Sequence, residues 1–142
     1  MNHQITRTFE FDAAHRVLGH ASKCRFLHGH RYRGEVTVES SVLDSLGMVI
    51  DFSCIKEKVG SWIDSHFDHN SLFHKDDPIL GFSPEVLLQI MGGRMPYVLD
   101  CNPTAENIAS LLLLKSMKLL SPLKVTRVKV WETPNCLAEV FG

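Results

Sequence analysis

The sequence predicts an α+β fold, an antiparallel sheet with two helices on one of its faces. Three observations carry this reading. Two stretches near the N-terminus alternate apolar and polar residues with period two. Two later stretches carry apolar residues at helical spacing. Two short alternating stretches close the chain, so the order is β-β-α-α-β-β.

The first strand is "TRTFEFDAAHRV". Phe9, Phe11, Ala13 and His15 share one phase, and Glu10, Asp12 and Arg16 take the other. The second spans residues 28 to 39. His28, His30, Tyr32, Gly34, Val36 and Val38 share one face; Arg31, Arg33, Glu35, Thr37 and Glu39 share the opposite one. "DSLGMV" reads as a loop, and "VIDF" leads into a helix from Ser53 to about His66. Its apolar positions are Ile55, Val59, Trp62 and Ile63, and Asp51 or Ser53 caps its start.

The second helix starts at "NPTAEN", with either Asn102 ahead of Pro103 or Thr104 as cap. Ile108, Leu111, Leu112 and Leu119 form its buried stripe, and Pro122 ends it. "KVTRVKVWE" is a third strand, with Val128, Val130 and Glu132 in one phase; "TPN" turns the chain into a fourth, "CLAEVFG". Between Asn70 and Asn102 the pattern weakens. "SPEVLLQIM" reads as a short helix with Ser83 as cap and Pro84 at its first position, and "GGRMPYVLD" as loop. A connector of that length is a functional or mobile segment more often than a plain link.

The 142 residues suit one domain and suffice for a core without staples. An apolar fraction of 44% and a charged fraction of 22% are those of a soluble globular protein. A formal charge of -1 gives no electrostatic case for nucleic acid or an anionic membrane. No apolar run is long enough to span a bilayer, and "MNHQITRTFEF" lacks a signal-peptide core, so a cytoplasmic location is expected. The four cysteines (Cys24, Cys54, Cys101, Cys136) form no C-x-x-C pair and are expected to be reduced.

Eight histidines are many for this length, and three of them are informative. His28 and His30 are two apart on one strand, so both imidazoles project from one face. His15 lies in the apolar phase of the preceding strand. If those strands are neighbours, three imidazoles converge. Three nitrogen ligands with one open position is the layout of a catalytic zinc site. A lone histidine in such a phase is usually a hydrogen-bonded core residue; three on adjacent strands point to metal.

Cys24 stands four residues before His28. It is either a fourth ligand, which makes the site structural, or a free thiol acting as base or nucleophile; spacing does not separate the two. Lys23 and Arg25 flank it, and nearby positive charge favours a thiolate. In "FDHN", Asp68 and His69 follow a helix end. They supply a carboxylate and an imidazole to serve a thiol, or merely a histidine favourable at a helix C-terminus. Glu132 continues the buried phase of Val128 and Val130, so it needs a partner. A carboxylate there suits a flat heterocycle with two adjacent N–H donors; the alternative is a strand-end acid whose phase has slipped at the turn. Glu106, in the first turn of the second helix, is a helix-dipole or capping acid with a lesser claim to touch a ligand.

"FDAAHRV", "C-x3-HGH", "VIDF", "FDHN", "NPTAEN" and "WET" occur in that order. Together they resemble the 6-pyruvoyltetrahydropterin synthase and 6-carboxytetrahydropterin synthase family, over nearly the whole chain apart from about 71 to 101. The resemblance implies the tunnelling fold (T-fold), in which three subunits close a barrel of strands and two rings stack into a hexamer, with active sites at subunit interfaces. It implies zinc on His15, His28 and His30, and catalytic roles for Cys24 as proton acceptor, His69 as relay and Asp68 beside it. It implies Glu132 as pterin anchor. The implied substrate is 7,8-dihydroneopterin triphosphate, its side-chain hydroxyls approaching the zinc.

The C-x3-H-G-H spacing resembles the 6-carboxytetrahydropterin synthases of the queuosine pathway, which release triphosphate and acetaldehyde. The 6-pyruvoyl product, made without chain cleavage, is the competing outcome within the family. A pterin-side-chain aldolase and a non-catalytic zinc- and pterin-binding protein fit the same residues. The segment at about 71–101 reads as an atypical insertion. Its Arg94 and Lys75 are candidates to touch phosphate, or the segment lengthens a subunit contact.

Overall fold

The computed structural model describes residues 1–142. Strand β1 (His3–His15) pairs antiparallel with β2 (His28–Ser40) along its full length, from His3 opposite Ser40 to His15 opposite His28. Between them the chain makes one 3-10 turn, Lys23–Arg25. A helical rod follows. It comprises α1 (Phe52–Ile55), a π-helical turn (Lys56–Gly60) and α2 (Ser61–His66). Asp51 caps it, its carboxylate accepting from the Ser53 amide at 2.7 Å. Ile55, Val59 and Ile63 are buried, four residues apart, as a helix laid on a sheet requires.

Next come β3 (Asn70–His74), α3 (Pro84–Ile90) and β4 (Tyr97–Leu99). Ser83 caps α3 with Pro84 at its first position, as the sequence predicts. Helix α4 (Ala105–Leu120) is capped by Thr104, whose hydroxyl accepts from the Asn107 amide. Strands β5 (Lys124–Thr133) and β6 (Cys136–Phe141) end the chain. The sheet has six strands in the order β4-β3-β1-β2-β5-β6.

Four of those strands are antiparallel neighbours, as expected. Strands β3 and β4 are not predicted by the sequence pattern, and both pair in parallel, so the sheet is mixed. In particular "YVL" is not loop: Tyr97–Leu99 is an edge strand. Five and three residues are too few to display a period of two. The α4 stripe is also turned slightly from the expected one. Ala105, Ile108, Ala109, Leu112, Leu113, Ser116 and Leu120 are buried, while Leu111 and Leu119 lie at its margin.

One core holds these parts together. Phe9, Phe11, Tyr32, Val36, Val128 and Val130 from the sheet meet Ile55, Val59, Ile63, Ile108 and Leu112 from the helices. Fully burying each such side chain contributes roughly 1.5–3 kcal/mol. Helix α4 lies close to β2: a Cβ added at Gly34 would meet Leu112 Cδ2 at 3.4 Å.

Candidate metal centre and active site

Strand register builds the centre. His15 and His28 are directly opposed, and His30 stands opposite Ala13, diagonal to His15. Gly29 between the two histidines permits close strand approach, since a Cβ there would lie 3.3 Å from the Ala13 carbonyl oxygen. The three ring centroids are 4.7, 5.1 and 4.8 Å apart. Tyr32 floors the cluster, stacked on Phe11 and edge-on to His15 and His30. Burial pushes its phenol pKa up, and the charge of Glu132 adds to this.

Two rings are held from behind. His15 Nδ1 lies 2.6 Å from the Pro103 carbonyl oxygen, and His28 Nδ1 lies 2.6 Å from that of Phe26. A carbonyl only accepts, so both Nδ1 atoms carry protons and both Nε2 atoms turn lone pairs to the cluster. Those Nε2 atoms are 3.1 Å apart. Two facing lone pairs require positive charge beside them. A proton on one ring would serve that pair alone; a divalent cation would also engage His30 Nε2, which is buried without a hydrogen-bond partner. Burial holds the His30 imidazole below its ordinary pKa; Glu132 opposes this, while His15 and His28 reinforce it. A neutral ring is the ligating form. The donors therefore fit a zinc-like cation.

Glu132 joins them. One nitrogen from each histidine and one Glu132 oxygen all lie within 4.8 Å of one another. Glu132 Oε1 is 2.9 Å from His30 Nε2 and 3.6 Å from His15 Nε2. The His15 contact, followed by the charges of the three histidines, holds its carboxyl below the ordinary range against burial. The side chain also lines a cavity of about 610 Å³ with His30, Arg31, Arg33, Trp131 and Thr133, a volume suited to a small ligand.

Asp68 and His69 form a second cluster, with Asp12. Asp12 takes the opposite phase of β1 to His15, but Asp12 and His69 line one open cavity together with His30. Asp68 Oδ2 is 3.0 Å from His69 Nδ1, and Asp68 Oδ1 accepts from the Asp12 amide at 2.9 Å. Burial works to raise the Asp68 carboxyl pKa, but the Asp12 amide, His69 and Arg31 outweigh it and hold it below the ordinary value. His69 adopts φ 54°, in the left-handed region, and its side chain is 75% exposed. Backbone hydrogen bonds to the Asp12 carbonyl (His69 amide) and the Ile63 carbonyl (Asp68 amide) hold that turn.

Cys24 sits half-buried in the 3-10 turn and belongs to neither cluster. Its carbonyl accepts from the Val17 amide at 2.8 Å, which ties the turn to the end of β1. Glu106 is exposed in the first turn of α4, also outside both clusters. Arg94 does not reach for solvent: it donates to the carbonyls of Asp68 and Ser65 and so caps the end of α2. Lys75 is exposed, 3.9 Å from Asp100.

Sequence reasoning missed several parts of the site. They are the Pro103 and Phe26 carbonyls and the Asn102 side chain, which donates to the Leu18 carbonyl and accepts from the Leu18 amide. "NPTAEN" signalled Asn102 only as a cap.

The model of the 6-pyruvoyl tetrahydropterin synthase family matches residues 4–142. The chain belongs to that family. Within it, the chain is 44% identical over 140 residues to the 6-carboxy-5,6,7,8-tetrahydropterin synthase of Rickettsia felis, covering 96% of this chain and 99% of the relative. It is 32% identical to the enzyme of the same name from Aquifex aeolicus, covering 98% of each. Among solved structures, an uncharacterised protein from Wolinella succinogenes superposes with a TM-score of 0.85 at 27% identity, covering 100% of this chain and 99% of that one. The 6-pyruvoyl tetrahydropterin synthase of Caenorhabditis elegans superposes with a TM-score of 0.71 at 23% identity, covering 100% and 96%, and shares the T-fold. No helix of this family member is long and apolar enough to cross a membrane.

Proposed function

We infer that this protein is a zinc-dependent lyase that converts 7,8-dihydroneopterin triphosphate and one water to 6-carboxy-5,6,7,8-tetrahydropterin, releasing triphosphate and acetaldehyde, as a cytoplasmic step toward queuosine. The observation that carries this reading is the cluster of His15, His28, His30 and Glu132 beside a ligand-sized cavity. The relatives bearing the 6-carboxy name support the product assignment.

His15, His28 and His30 would hold the zinc, which would supply Lewis-acid polarisation of the substrate's side-chain oxygens. Glu132 anchors the pterin by accepting its two adjacent N–H groups. Cys24 takes the neighbouring carbon-bound proton, and the His69 ring, oriented by Asp68, receives it in turn. Glu106 is a secondary candidate for ligand contact.

Within one chain Cys24 belongs to no cluster with Asp68 and His69, and the His69 side chain is exposed. Completion of the proton path therefore calls on a neighbouring copy. This accords with a hexamer, a dimer of trimers, with active sites at the interfaces.

Incubation with 7,8-dihydroneopterin triphosphate and identification of the product by mass tests the activity. The 6-carboxy product with acetaldehyde is expected. A three-carbon product with triphosphate would assign the 6-pyruvoyl activity instead, and unchanged substrate on zinc-loaded protein would assign a binding role. Cys24→Ala should retain zinc and lose at least about 10²-fold in rate, the scale of general-base removal. Loss of zinc from that variant would make Cys24 a ligand.

A further inference from the structure

The segment at about 71–101 lies against the end of β1, and one charged pair joins the two. Strand β3 pairs in parallel with the last residues of β1, with Leu72 opposite His15. Beyond β3 the chain turns at Asp77, which is only 3% exposed in spite of its charge. Arg16, the residue after His15, donates to it twice: Nε to Oδ2 at 2.7 Å, and Nη2 to Oδ1. Asp77 stands on a fixed corner. Its amide donates to the His74 carbonyl at 2.9 Å, and its Oδ1 also accepts from the Ile79 amide at 3.0 Å, capping the 3-10 turn Pro78–Gly81.

An ion pair withdrawn from water adds little net stability compared with apolar packing. Leu72, Phe73 and Leu99 already bury this segment. What a two-point contact between guanidinium and carboxylate supplies is direction. That direction bears on the loop that begins at Arg16. The Val17 amide donates to the Cys24 carbonyl at 2.8 Å, and Asn102 holds the Leu18 backbone. The 3-10 turn that carries Cys24 has no side-chain cap and no buried residue of its own. Cys24 therefore hangs from Val17, which stands between a residue fastened by Asp77 and a residue fastened by Asn102.

We propose that Asp77 is a positioning residue for the reaction: through Arg16 it sets the loop from which the Cys24 thiol meets the substrate. This rests on the reading of Cys24 as proton acceptor and gives the 71–101 segment a part in the chemistry. Asp77 touches no substrate; it acts by fixing where the loop leaves the sheet. A displacement of about 1 Å in a reacting group can cost on the order of 10²-fold in rate.

The test compares the zinc-loaded full chain with its Asp77→Asn and Arg16→Lys variants. The first removes the charge at nearly constant size; the second keeps the charge and loses the two-point contact. Alkylation by iodoacetamide, followed cysteine by cysteine through peptide masses, reports the loop. In Asp77→Asn, Cys24 should react about tenfold faster or more, the scale of a lost charge-assisted hydrogen bond, while Cys136 on β6 reacts as in the wild type. Turnover (kcat) should fall about 10²-fold, with KM and zinc content little changed. Arg16→Lys should follow Asp77→Asn in both readouts; wild-type behaviour there would show that charge without direction suffices and would overturn the proposal. Unchanged Cys24 alkylation in Asp77→Asn, or faster alkylation with full kcat, overturns it too. So does a loss of amide-exchange protection throughout β1 and β2, which would make the pair an anchor of the fold. Full turnover by Cys24→Ala would instead overturn the proton-acceptor reading beneath the proposal and leave the alkylation result standing.

Discussion

Asn102 touches neither the cavity nor a ring nitrogen, yet it helps to set the histidine cluster. Its side chain grips the Leu18 backbone in both directions, at 2.8 and 2.9 Å, while its carbonyl accepts from Asn107 at 2.9 Å. The next residue, Pro103, offers the carbonyl that orients His15. Partners of metal-bound histidines typically govern 10–100-fold in affinity. Asn102→Ala should therefore weaken zinc binding by about tenfold or more without unfolding the chain; a chelator-competition curve identical to wild type would deny it this role. At this scale the three histidines were legible because period two assigns each side chain to a face. Glu132 was legible as a misplaced acid for the same reason. Its approach to the histidines was not, because that depends on cross-strand register and on the irregularity of the β5–β6 pairing between Trp131 and Thr133. Carbonyl partners leave no mark on side-chain identity, so Pro103 and Phe26 were silent.

At the scale of elements, the end of α2 matters most. The chain leaves the helix through Asp68 and His69 and enters β3 at once, with His69 in the left-handed region. Arg94, from the loop before β4, donates to the Asp68 carbonyl at 2.7 Å and to the Ser65 carbonyl at 2.5 Å. A hydrogen bond from a charged donor contributes about 1.5–3 kcal/mol, tenfold or more in a local opening equilibrium. Arg94→Ala should thus accelerate amide hydrogen exchange at residues 67–70 by at least about tenfold, leaving β1 and β2 protected. Uniform acceleration, or none, would mean that Arg94 does not hold this corner. The long elements were readable because each repeats its period several times. Strands β3 and β4 were not, and their parallel pairing needs β1 as template. Of the segment's structure only α3 carried a local signal, its cap and proline.

At the scale of the whole molecule, the sheet ends in two open edges, β4 and β6. Exposed edge strands invite pairing with another chain. Phe141 on β6 is 70% exposed and Leu114 on α4 is 65% exposed, an unusual outlay of apolar surface for an isolated chain. The proposed closure of a barrel through these edges would account for both, and would complete the proposed proton path between neighbouring copies. Phe141→Lys should therefore shift the assembly to smaller species in native mass measurements and reduce turnover. Zinc content per chain should hold, since all three histidines belong to one hairpin. A variant that stays fully assembled, or a lone chain with full activity, would contradict this.

One cation gathered by His15, His28 and His30 is the centre of the proposed chemistry, and the protein's metal content measures it most directly. Elemental analysis of dialysed protein should find one zinc per chain in the wild type and almost none in His28→Ala, with turnover of 7,8-dihydroneopterin triphosphate tracking the metal. Wild-type protein stripped to the detection limit that still turns over substrate at its full rate would contradict it.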